Sequence, residues 1–167
     1  MKSLHSKFLI IGLIMYSSKI MAQDYGNSGW DITLGYQYQK YHGIEIGIGH
    51  GSRGDELGSL IYRNYHICSE ILLNNPGKNI TGFKAGYSWS AVAGTVAGQA
   101  VYYTNFSKSS FALRPEIGLS LAGMIDFTYG YNFYLIDKLN QTGKHVFSAK
   151  VTIGQSTFKK KTKKKKD

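Results

Sequence analysis

"GWDITLGYQYQ", residues 29–39, sets Trp30, Ile32, Leu34, Tyr36 and Tyr38 against Asp31, Thr33, Gly35, Gln37 and Gln39. Successive side chains of a strand point to opposite faces, so this alternation marks a β-strand with one apolar and one polar side. "GIEIGIGHG" (43–51) repeats the pattern, with Ile44, Ile46 and Ile48 against Gly43, Glu45, Gly47 and Gly49. Six further segments follow, at 60–73, 80–91, 96–106, 111–123, 125–135 and 146–154, the one at 96–106 being the least regular. Most run to about nine to eleven residues, enough to cross a bilayer when tilted. Between them lie "QKYH", "GSRGDEL", "NNPGKN", "AVAG", "FSKSS", "AGM" and "DKLNQTGK", rich in turn-forming residues. Eight strands with short connections predict an all-β, eight-stranded antiparallel up-and-down barrel.

Alternation alone leaves open which face looks inward. Tyr, Trp, Phe, Ile and Leu crowd the apolar face with more volume than the inside of a small barrel holds. The polar face is mostly Gly, Ser, Thr and Ala with isolated charges. Glycines weaken a strand exposed to water, but they suit a cramped interior. The apolar face is therefore expected to point outward, and an outward apolar wall needs lipid. The aromatics Trp30, Tyr36, Tyr38, Trp89, Tyr102, Tyr129, Tyr131 and Phe133 then become candidates for interfacial girdles. The alternative is a soluble periplasmic ligand-binding barrel, which would turn its apolar face inward.

The chain has 167 residues and a formal charge of +10. That charge sits at the ends. Lys2, Lys7 and Lys19 give the first 22 residues about +3, and the tail 159–167 carries about +6, leaving about +1 for the body. The high pI is thus no sign that the fold grips phosphates, and no nucleic acid is expected. "MKSLHSKFLIIGLIMYSSKIMAQ" has a basic start, a short apolar run from Phe8 to Tyr16 and then small and polar residues. This is the layout of a secretory signal peptide, with cleavage expected after Ala22. Residues 23–158 would be the barrel, and 159–167 a solvated polybasic tail. Cys68 is the only cysteine, so no intramolecular disulfide can form.

The mature chain up to Phe158 resembles the small eight-stranded outer-membrane barrels of Gram-negative bacteria, the class of OmpX and the OmpA membrane domain. The resemblance rests on the strand pattern and on the end of the last segment. "VTIGQSTF" (151–158) looks like the closing strand that ends on an aromatic read by the barrel-assembly machinery, with Gly154 and Phe158 suitably placed. The resemblance implies an outer-membrane location with both termini in the periplasm. The lysines after Phe158 depart from the pattern. An acidic periplasmic partner, lipid headgroups or peptidoglycan carboxylates are candidate contacts for Lys159–Lys166.

On this reading Asp31, Glu45, Glu70, Lys84, Arg114, Glu116, Asp126 and Lys150 face the lumen, where isolated charges are costly and an ion network is expected. If Leu121 faces Ile125, Glu116 lies opposite Gly130. If Phe133 faces Phe147, Gly130 lies opposite Lys150, and Glu116 and Lys150 can meet above the glycine. A turn centred on Pro76 puts Lys84 diagonally near Glu70. Pro115 cannot donate to the ladder and is expected near a strand end or at a bulge.

A catalytic reading rests on His50, Ser52 and Glu56 in "GHGSRGDE". A His-x-Ser pair helped by a carboxylate can activate a serine nucleophile. Together with "NNPG" (74–77), it is loosely similar to the lipid A deacylases built on eight-stranded barrels. Arg53 stands where that family prefers an amide, and strand counting puts His50 at a periplasmic turn. The favoured expectation is no catalysis: a plugged barrel with a structural or surface-recognition role, the lipid-modifying hydrolase being the alternative. His42, His66 and His145 are scattered without metal-ligand spacing, and neither a metal nor a cofactor is expected.

Overall fold

A computed structural model describes residues 27–56, 59–73, 80–91, 93–121 and 123–158, without the side chains at 27, 55, 56, 59, 60, 157 and 158. The expected signal segment, the lysine tail and the "NNPGKN" turn lie outside the described residues. The alternating segments become β1 (Asn27–Tyr38), β2 (His42–Glu56), β3 (Ser59–Leu72), β4 (Ile80–Ser90), β5 (Gly94–Thr104), β6 (Ser109–Leu121), β7 (Ile125–Tyr131), β8 (Phe133–Tyr134) and β9 (His145–Gly154). A four-residue helical turn, α1 (Gln155–Phe158), follows.

β1 to β7 pair antiparallel in succession, β7 pairs with β9, β9 returns to β1, and the wall closes. β7 and the two-residue β8 both pair with β6 and form one interrupted stave. The fold is thus a closed, eight-stranded antiparallel up-and-down barrel with one short extra strand, as the alternation predicts. Followed around the wall, the pairings advance by about ten residues per circuit, the stagger of strands tilted by roughly 40°. A barrel of this size has room inside for side chains and little else.

The break in the seventh stave has a local cause. Leu135 N donates to Phe111 O at 2.8 Å, so Phe111, Leu113 and Pro115 are the residues of β6 whose amides would face this neighbour. Pro115 has no amide hydrogen, and the ladder lapses between Glu116↔Gly130 and Leu113↔Phe133. The sequence places Pro115 near a strand end or at a bulge; it sits mid-strand, opposite Gly98. The same offset holds on both sides of it, so the device is a gap in the ladder.

Three other expectations change. "GSRGDE" is strand and not a turn: β2 and β3 stay paired from Gly51↔Asn64 to Glu56↔Ser59. Phe147 faces Tyr129 instead of Phe133, and Lys150 faces Asp126 instead of Gly130. The cause is the 135–144 connection, which folds inward over the barrel mouth and leaves β8 without a partner in β9. The closing strand, expected to reach Phe158, ends at Gly154 where α1 begins.

The faces are sorted as expected. Trp30, Ile48, Ile67, Phe83, Ile117, Leu119, Phe127 and Phe147 stand exposed on the outer wall, Leu119 at 69%. The polar alternates are inside, with Arg114 and Glu70 at 0%.

Candidate functional site

The lumen gathers the charges that the strands turn inward. Lys84 on β4 lies 2.5 Å from Glu45 Oε2 and 3.0 Å from Glu70 Oε2. Arg114 Nη1 on β6 lies 3.5 Å from Glu70 Oε2 and 3.8 Å from Glu116 Oε1. Lys150 Nζ on β9 lies 2.6 Å from Glu116 Oε2. The result is one alternating chain, Glu45–Lys84–Glu70–Arg114–Glu116–Lys150, with no net charge. Removing an ion from water costs several kcal/mol, so such charges persist inside only when each is paired.

Two expected contacts are present, one of them by a different register. Cys68 is the residue opposite Lys84, so Glu70 is its diagonal neighbour, as a turn centred on Pro76 requires. Glu116 is opposite Gly130 as expected. Lys150 reaches Glu116 although it stands opposite Asp126. Gly130 is required here by close approach: a Cβ on it would lie 3.0 Å from Glu116 Cγ and 3.2 Å from Arg114 Cδ.

Asp31 and Asp126 do not join this chain. Asp31 closes the end of the barrel where β1 begins and β9 ends. It accepts from Tyr62 Oη at 2.7 Å, from Ser156 N at 3.2 Å and from Ser156 Oγ. The helical turn α1 thereby caps the lumen, and the Tyr62 ring lies under the β6–β7 turn, where Gly123 takes φ 72°. A Cβ at Gly123 would fall 2.3 Å from that ring. Asp126 is buried with Oδ1 unpartnered, beside a polar cavity of about 20 Å³. That is room for about one water. Glu45 Oε1 and Asn64 Oδ1, also unpartnered, line the same cavity.

The opposite end is closed by the 135–144 connection. Leu139 is buried among Leu72, Ile80, Val101 and Tyr103, with Tyr134 against them. Beneath this apolar plug, Gln39 bonds Gly143 N at 2.9 Å and Tyr103 Oη at 3.1 Å. Arg114 donates to Asn132 Oδ1 at 2.8 Å and to Tyr103 Oη. Sequence reading overlooked Tyr62, Tyr103, Leu139 and Ser156. Alternation from Tyr102 outward could have turned Tyr103 inward, whereas nothing in "DKLNQTGK" marks Leu139 as a plug.

The girdle candidates Trp30, Tyr36, Tyr38, Trp89, Tyr102, Tyr129 and Phe133 are exposed on the outer wall, and Tyr131 is half-buried there. His50 also lies on the outer wall, within β2, and not at a turn. It is opposite Trp30 and Tyr65, and its ring meets Trp30 edge-on at 5.7 Å. Ser52, half-buried, is on the same face opposite Arg63, and no hydrogen bond joins it to His50 among the described residues. The Glu56 and Phe158 side chains are outside the description. Among the described residues no group of three or more His, Cys, Asp or Glu could hold a metal ion.

No family model, curated protein or solved structure matches this chain. What the geometry itself defines is a closed eight-stranded barrel with an apolar outer wall, an ion-paired lumen and a cap at either end.

Proposed function

We propose that this chain is an integral outer-membrane β-barrel protein with a plugged polar interior, in a structural or surface-recognition role without catalysis. One observation carries the reading: on every stave the exposed wall is mainly apolar, while Asp31, Glu45, Glu70, Lys84, Arg114, Glu116, Asp126 and Lys150 are turned inward. Water rewards the reverse arrangement, and lipid rewards this one. The apolar segment within 1–22 supports export, and Gly154 and Phe158 remain the proposed signal for the assembly machinery, presented by a strand end and a helical turn. The termini would be periplasmic, where the lysine tail would meet acidic groups.

The test is gel mobility of outer-membrane fractions before and after boiling. A folded barrel runs faster unheated, and it stays with the membrane through a carbonate wash. Release by carbonate would instead favour the soluble barrel. The hydrolase alternative draws no support from an unlinked His50 and Ser52. Lipid A acyl patterns unchanged by Ser52→Ala are expected.

A further inference from the structure

We infer that the outer wall near the loop end binds a phosphorylated glycolipid of the outer leaflet; this rests on the membrane reading above. The feature is a pair of matching Tyr–His units on neighbouring staves. Tyr36 Oη is hydrogen-bonded to His42 Nδ1 across β1 and β2, and Tyr129 Oη to His145 Nδ1 at 2.7 Å across β7 and β9. Between them Tyr38 faces Phe147. Tyr38 packs on His42 at 5.2 Å, and Phe147 on Tyr129 at 5.3 Å. The result is a continuous aromatic wall over β2, β1, β9 and β7.

Both imidazoles are exposed, and their Nε2 atoms are engaged by no described residue. With Nδ1 taken up by a tyrosine, Nε2 is the ring position left to meet a ligand. Charge is gathered directly above. At the loop end the described charged residues are Lys40, Lys108, Lys138 and Lys144 against Asp137. Three of those four lysines stand in the two connections that flank this wall. These connections are tied together by Lys40 Nζ donating to Asn140 O at 2.7 Å and by the Gln39–Gly143 bond. Lys40 and Lys144 are exposed, one within two residues of His42 and the other adjacent to His145.

A girdle that only needed to sit at an interface could use any aromatic. This one places two exposed lysines within two residues of its imidazoles at the loop end of an apolar wall, an arrangement that an acyl chain below and its phosphate above would match. The chemistry fits an anionic headgroup held by charge-assisted hydrogen bonds. Lys108, on the far side of the mouth between β5 and β6, has no histidine beside it among the described residues and serves as the internal control.

The experiment is native mass spectrometry of the full chain in detergent, with bisphosphorylated lipid A, its monophosphorylated form and phosphatidylglycerol as separate probes. The wild type should retain bisphosphorylated lipid A best. Lys40→Gln with Lys144→Gln should weaken retention about ten-fold, as should His42→Phe with His145→Phe, and Lys108→Gln should leave it unchanged. Unheated gel mobility checks that each variant is folded. Should the lysine pair disturb the loops, the wild-type ranking of the three probes still decides. Equal retention of all three, or an equal loss with Lys108→Gln, would overturn the site. Failure of the wild type to insert into phosphatidylcholine liposomes would instead remove the membrane reading and the site together.

Discussion

Lys84 shows what a single residue does in this lumen. It is fully buried between Glu45 and Glu70 and is the only cation within reach of Glu45 among the described pairs. Lys84→Met keeps the length and removes the charge, leaving two carboxylates facing each other. It should cost about 3–5 kcal/mol, the range for breaking a buried pair from one side. Urea titration in micelles, followed by the unheated gel band, reads this directly; a midpoint within error of the wild type would mean the chain of charges is not what holds the lumen. Lys84→Met combined with Glu45→Gln should recover much of the loss, since Glu70 keeps Arg114 and the remaining chain, Glu70–Arg114–Glu116–Lys150, is again neutral. Alternation was enough to put all eight charged residues inside, because a period of two admits only two faces. Partner choice was harder to read. Lysine and arginine reach across several rungs, so Lys150 finds Glu116 even though the backbone sets it opposite Asp126.

At the scale of elements, the two surprises are Pro115 and the 135–144 connection. Pro115→Val restores an amide facing Tyr131 on a side that is exposed and already apolar. β7 and β8 should then join, the new amide should exchange slowly with deuterium, and stability should rise by about 1 kcal/mol. Free exchange at position 115 would show that something other than the missing donor parts the two strands. Leu139→Ala tests the plug at the loop end. Leu139 is 5% exposed, and the change should cost about 2 kcal/mol, the low end for a buried leucine because a loop can partly collapse. Faster exchange should be confined to 135–144; a global loss of protection would mean that Leu139 belongs to the barrel's main core. Strand existence was legible because each strand carries its own periodic signal. The inward fold of the connection was not, because a loop has no period and its one buried leucine looks like any other. The same lack of period lies behind the four-residue shift in the β7–β9 pairing, where Phe147 meets Tyr129 instead of Phe133.

For the whole molecule, the decisive quantity is the sign of a charge's effect on the outer wall. Leu34 lies midway along β1, between Ile46 on β2 and Val151 on β9, and is 53% exposed. In water, an arginine at such a position relieves exposed apolar surface and should leave stability unchanged or slightly improved. In a bilayer the same arginine meets the hydrocarbon midplane and should cost about 2–4 kcal/mol. The comparison therefore needs two sites at different depths in one bilayer. Leu34→Arg is measured by urea unfolding from phosphatidylcholine liposomes, alongside Trp30→Arg, which sits nearer the end of the strand and should cost about 0–1 kcal/mol. A depth-dependent penalty, large at Leu34 and small at Trp30, is expected. Equal and negligible effects at both positions would mean that the apolar wall does not face lipid, and the closed, charge-filled lumen would then need an apolar partner around it of a different kind.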